Sequence, residues 1–213
     1  MKKNTTLIFL SIVALSLTAC SNTKNNSISS KTEGSTITKK QVVSKKIIKT
    51  KRNMNVKMRD KTGDYWKLSS EVGDYPDLTK FSNLSLEVSI SKNITYLKSN
   101  GNTIYTFYSS AGIGNTTPTG VFAIQSETSP SFYNSEEREG ANYAVSWLDH
   151  GTYLFHSVPI DSTGNYLVSE AEKLGKSPGS HGCVRLSISD SNWLYEQALS
   201  GALPVGTPVT INQ

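Results

Sequence analysis

The stretch SHGCVRL, residues 180–186, holds one of only two cysteines in the chain. A cysteine attacks as thiolate, so it needs a base or a positive neighbour. The oxyanion its attack creates needs converging donors. Gly182 lets the backbone turn tightly, which makes the amides of Gly182 and Cys183 the natural oxyanion donors. His181 is adjacent in sequence, but neighbours on an extended chain point to opposite faces, so it is a poor base. His156, in YLFHS (153–157), lies 27 residues upstream at the end of a predicted strand, and a fold can bring it against Cys183. Each residue also has a plain structural reading: Cys183 as a small buried hydrophobe, His156 as a core histidine, Arg185 as a surface charge or a clamp on a backbone carbonyl.

The second cysteine bears on the first. Lys2 and Lys3 precede an apolar run from Leu7 to Leu17, which ends in LTAC at residues 17–20. The run is short for a membrane span, and a small residue directly before cysteine is the cleavage pattern of a bacterial lipoprotein signal. Residues 1–19 are therefore read as a signal peptide, and Cys20 as the lipidated first residue of the mature chain. A simple secretory signal, or an N-terminal anchor with an incidental cysteine, is the competing reading. With Cys20 lipidated, Cys183 has no partner in the chain and is a reactive thiol or half of an intermolecular disulfide. Activation by His156 predicts fast thiol labelling near neutral pH. The histidines (150, 156 and 181) lack the paired spacing of a zinc site, so neither metal nor cofactor is expected.

Charge divides the chain. Asn22 to Lys61 carries twelve Lys and Arg against two acids, whereas Thr62 to Gln213 carries eight against fifteen. The overall charge of +5 thus belongs to the N-terminal stretch and is no sign of a nucleic-acid partner. Residues 20–77 read as a lipidated N-terminus and a basic, largely disordered tether, rich in Ser, Thr, Asn and Lys. A small module between Gln41 and Ser70 is the alternative. The folded domain is placed at 78–213, as a monomer.

The elements that must position the thiol are mostly strands. LSLEVSI (84–90) alternates apolar and polar residues, ITYLK (94–98) and TIYTFYSS (103–110) follow after polar turns, and together they predict an antiparallel meander. GNTTPTGVFAIQ (114–125) reads as a loop entering a strand. Residues 126–141 are polar and irregular, a long loop that could serve as lid or substrate wall. ANYAVSWL and GTYLFHSV are two more strands. Ser169 to Glu172 fits a capping box for a short helix closed by Gly175, Asp190 to Ser200 is a second helix, and VGTPVTI (205–211) is a last strand. The sum is a mainly β sandwich or barrel with a few short helices.

From roughly Asn83 to Ile211 the sequence resembles the catalytic domain of bacterial L,D-transpeptidases. TPTGVF (117–122), FHSVP (155–159) and SHGCVRL carry the resemblance, in that order, with SDSNWLYEQ (189–197) and PVGTPVTI (204–211) behind them. The spacing from His156 to Cys183 is long for the family and leaves DSTGNYLVSEAEKLGKSPG (161–179) as an insertion. The resemblance implies an L,D-transpeptidase-type β-sandwich with Cys183 as nucleophile and His156 as general base and acid. It implies that the carbonyl of Ser157 orients the imidazole, that Gly182 helps form the oxyanion hole, and that Ser180 and His181 organise the loop. Arg185 stands where some relatives have asparagine and becomes a site-wall residue meeting a substrate carboxylate. The implied substrate is a peptidoglycan stem peptide. The implied reaction is acyl transfer with release of D-alanine to form cell-wall cross-links, performed outside the membrane by a lipid-anchored enzyme. Hydrolysis, as in an L,D-carboxypeptidase, and a non-catalytic wall-binding lipoprotein are the alternatives.

Overall fold

The computed structural model describes residues 56–213, so the signal segment, Cys20 and the tether up to residue 55 lie outside the described residues. Strands β1 (Leu84–Ser89), β2 (Ile94–Ser99) and β3 (Asn102–Tyr108) form the expected antiparallel meander. The C-terminal strand returns beside β1, parallel to it, and pairs on its other side with β4 (Gly120–Ala123). A second sheet follows the chain through β5 (Thr128–Asn134), β6 (Glu139–Leu148) and β7 (Tyr153–Ser157), then adds β8 (Val184–Leu186) parallel to β7.

Helix α1 (Val168–Ala171) lies in the β7–β8 connection, and α2 (Ile188–Leu199) leaves β8 and packs on β6 and β7. The C-terminal strand is β9 (Pro208–Asn212). Leu86, Val88, Leu97 and Phe107 from one sheet, Phe155, Val184 and Leu186 from the other, and Leu194 of α2 close one apolar core. The fold is thus mainly β, two sheets with few helices, as the strand pattern implies.

Four local expectations differ from the structure. Residues 126–141 are no loop: most of them form the hairpin of β5 and β6. β5 is an edge strand with both faces partly wet, so it lacks apolar alternation and tolerates Pro130. β8 went unseen because three buried residues carry no period. The capping box is absent: α1 starts one residue before Ser169, with Leu167 at its N-cap and no side-chain cap. Buried Ala171 and Leu174 hold this segment instead. In α2, by contrast, Ser187 caps the helix by accepting from the Asp190 amide.

The fourth difference concerns residues 56–77, which fold onto the domain instead of belonging to a tether. Tyr65 and Trp66 are buried. The Tyr65 hydroxyl lies 2.9 Å from the Glu172 carbonyl and 2.8 Å from that of Leu174. Fully buried Asp190 accepts from the Ser70 amide and from the hydroxyls of Ser70, Tyr75 and Tyr105. These donors satisfy a carboxylate whose pKa burial pushes up. Two adjacent aromatic residues among polar neighbours carry no period, so the pattern did not reveal the packing.

Candidate active site

The β7–β8 register sets the site. His156 pairs with Arg185 and Phe155 with Val184. Because side chains alternate along a strand, His156 and Arg185 share one face, while Phe155 and Val184 enter the core from the other; Cys183, directly before β8, lines the same cleft as His156. The shared face opens on a cleft of about 490 Å³ whose walls include Cys183, His156, His181, Phe132, Tyr153 and Glu137. His156 is buried, with its ring set edge-on to Phe132 at 5.6 Å between centroids.

The imidazole is oriented by one strong contact. Its Nδ1 lies 2.6 Å from the Ser157 carbonyl oxygen. A carbonyl can only accept, so Nδ1 carries the hydrogen and Nε2 keeps a free lone pair. The Ser157 hydroxyl is occupied elsewhere: it donates to the Val158 carbonyl and accepts from the Asn142 amide. Burial, and then the charge of Arg185, pull the His156 pKa down to about 4 against the opposing pull of the Ser157 carbonyl. The base is neutral in the resting protein.

The thiol is half-buried, and Sγ lies 3.6 Å from the Thr152 carbonyl. Burial pushes its pKa up to about 11; the Leu154 amide opposes this, Glu137 adds to it, and Arg185 opposes it. Burial thus favours the neutral forms of thiol and imidazole, so activation runs through proton transfer to Nε2 as the thiol attacks.

The loop before Cys183 is tied at several points. The Ser180 hydroxyl donates to the Cys183 carbonyl and accepts from the Gly182 amide at 3.1 Å. The Gly182 amide, expected as an oxyanion donor, is thus already engaged in the resting loop. Gly182 has φ +149°, and a Cβ there would lie 2.8 Å from the Tyr153 ring. His181 points out to the exposed side of the cleft, with Nδ1 3.3 Å from Glu137. Buried Thr117 was not singled out by sequence, although it lies within TPTGVF. Its hydroxyl accepts from the Gly112 amide and donates to the Gly182 carbonyl, joining two loops.

Arg185 differs most from expectation. Its side chain is 2% exposed, with Nη1 3.0 Å from Glu170 and Nη2 paired to Glu139. The guanidinium joins β8 to β6 and α1, so it is a clamp with both terminal nitrogens taken and does not wait for a substrate carboxylate. Burial pushes the Glu170 carboxyl up, but Lys173 and Arg185 outweigh it and hold it below its ordinary value. Neither glutamate could be found from sequence, since they lie 46 and 15 residues from Arg185.

Residues 84–211 match the family model of the YkuD L,D-transpeptidase catalytic domain. The chain belongs to the L,D-transpeptidase family. It is 39% identical over 169 residues to the protein named Putative L,D-transpeptidase YciB of Bacillus subtilis (strain 168), covering 77% of this chain and 83% of that one. Among solved structures, an L,D-transpeptidase from Mycobacterium smegmatis has TM-score 0.49 and 19% identity over 62% of this chain. One from Mycobacterium tuberculosis H37Rv has TM-score 0.48 and 22% identity, also over 62%. The match spans 59% and 58% of those two chains. Within this family the folded strap at residues 56–77 lies outside the matched domain and extends it N-terminally.

Proposed function

We propose that the protein is a peptidoglycan L,D-transpeptidase that joins stem peptides by cysteine acyl transfer. The observation that carries this reading is the Nδ1 contact to Ser157, which leaves Nε2 of His156 as a proton acceptor in the cleft that holds Cys183. Nε2 takes the thiol proton as Sγ attacks the carbonyl carbon of the third stem residue. The tetrahedral intermediate collapses, the bond to the terminal D-alanine breaks, and His156 returns the proton to the leaving amine. A thioester on Cys183 remains. An acceptor amine attacks it, gives its surplus proton to His156, and leaves as the cross-linked amide while the thiol re-forms.

The place of action is part of the same proposal. Cleavage before Cys20 and lipidation of its thiol would hold the domain outside the membrane, facing the wall. The test is intact-mass analysis of the protein after incubation with disaccharide-tetrapeptide stems. The expected result is a thioester adduct on the wild type, none on Cys183→Ala, and loss of D-alanine release in that variant. Continued release of D-alanine by Cys183→Ala would overturn the reading. Accumulation of trimmed monomer alone, at every acceptor concentration, would assign the acyl group to water instead of an amine.

A further inference from the structure

Glu137 stands in the turn between β5 and β6. The Asn134 side-chain oxygen accepts from the amides of Glu136 and Glu137 there, which fixes the turn. The Glu137 carboxylate lines the cleft with Cys183, and its side chain is 41% exposed. Among the described residues Arg185 supplies the one guanidinium or ammonium in the lining, and Glu139 and Glu170 pair with it. Of the other lining carboxylates, Glu127 is joined to His150 at 2.8 Å. Among the described residues the ion-pair contact of Glu137 is to an imidazole, that of His181.

This placement costs the nucleophile. Burial is the main force raising the thiol, and Glu137 adds to it. A carboxylate that works against thiolate formation, paired so far with an imidazole, is offset further when a cation sits against it. We propose that Glu137 receives a primary ammonium group of the stem peptide at the mouth of the cleft, making it a specificity-determining residue. The inference rests on the stem-peptide reading above. The ammonium could belong to the side chain of the donor's third residue or to the acceptor, and the two sources are separable.

The experiment uses the full chain carrying Cys183→Ala, with and without Glu137→Gln. Calorimetric titration compares disaccharide-tetrapeptide stems with a free side-chain amine against the same stems acetylated on that amine. Cys183→Ala is expected to bind the free-amine stem about three- to fivefold more tightly at low salt, the size of one partly exposed ion pair. Glu137→Gln, or about 0.5 M salt, should erase that preference. With Cys183 intact, D-alanine release without acceptor from free-amine and acetylated stems reads the donor amine, and the acceptor concentration that half-saturates dimer formation, compared between wild type and Glu137→Gln, reads the acceptor amine. Loss of amine selectivity in the first arm, or a rise of about three- to fivefold in the half-saturating acceptor concentration in the second, supports the assignment and names the source. Unchanged selectivity in Glu137→Gln across all arms overturns it. An amine preference in binding with no D-alanine release by the wild type would sink the transpeptidase reading while leaving Glu137 in place.

Discussion

Replacing Arg185 by Met should show how strongly the clamp beside the nucleophile is held. The methionine keeps much of the packing volume but leaves Glu139 and Glu170 facing one another. Their side chains are 20% and 23% exposed, so water recovers part of their solvation. Removing one partner of a buried pair costs ~3–5 kcal/mol, and that partial exposure favours the lower end, ~3 kcal/mol. For a domain of this size, about 2–4 °C per kcal/mol converts this to a fall in Tm of about 6–12 °C near pH 7.

The sign of the pH dependence sharpens the test. In the wild type Glu170 titrates below its ordinary value. Its contribution is present above the unfolded pKa and lost as pH falls through the lower folded value. In Arg185→Met the Glu139 carboxylate repels that of Glu170, which raises the folded pKa of Glu170. That variant is relatively more stable below the unfolded pKa and loses stability as pH rises through the folded value. The gap between the two melting curves, followed by circular dichroism from pH 7 to pH 4, should therefore narrow on acidification. Adding Glu139→Gln and Glu170→Gln to Arg185→Met should recover stability, and it keeps the test decisive if the single variant fails to fold. A gap below about 2 °C at pH 7, or one that widens towards acid, would refute the reasoning.

Iodoacetamide alkylation of Cys183 should climb between pH 9 and 11, because burial holds the thiol up to about 11; a plateau below pH 8 would contradict a neutral resting pair. Thr117→Val keeps the buried volume but strands the Gly112 amide and frees the Gly182 carbonyl. A loss of ~1–3 kcal/mol in denaturant unfolding, with a fall in kcat, is expected. Tyr65→Phe removes the hydroxyl between the Glu172 and Leu174 carbonyls and should cost ~1 kcal/mol by the same measurement. A chain begun at residue 78 should melt well below one begun at 56, since Asp190 would lose its contacts to Ser70 and Tyr75.

Residue type and local order, which sequence carries directly, were enough for much of this protein. An unpaired thiol after Gly182, a histidine at a strand end and TPTGVF upstream made the family resemblance visible, and alternation in 84–90 made the meander visible. What stayed hidden depends on pairings between distant segments. Arg185 carries one charge in any sequence reading; only the approach of Glu139 and Glu170 made it a clamp. Residues 126–141 were too polar to declare a strand because β5 has no fully buried face. Tyr65 and Trp66 were missed because two aromatic residues produce no period, and only the tertiary structure brings Tyr108, Val158, Ala171 and Leu174 against them. The sequence by itself determined which atoms could react. The parallel register of β7 and β8 decided that His156 would share a face with Arg185 and that Cys183, directly before β8, would open on the same cleft, because alternation orients side chains only after two strands have been paired.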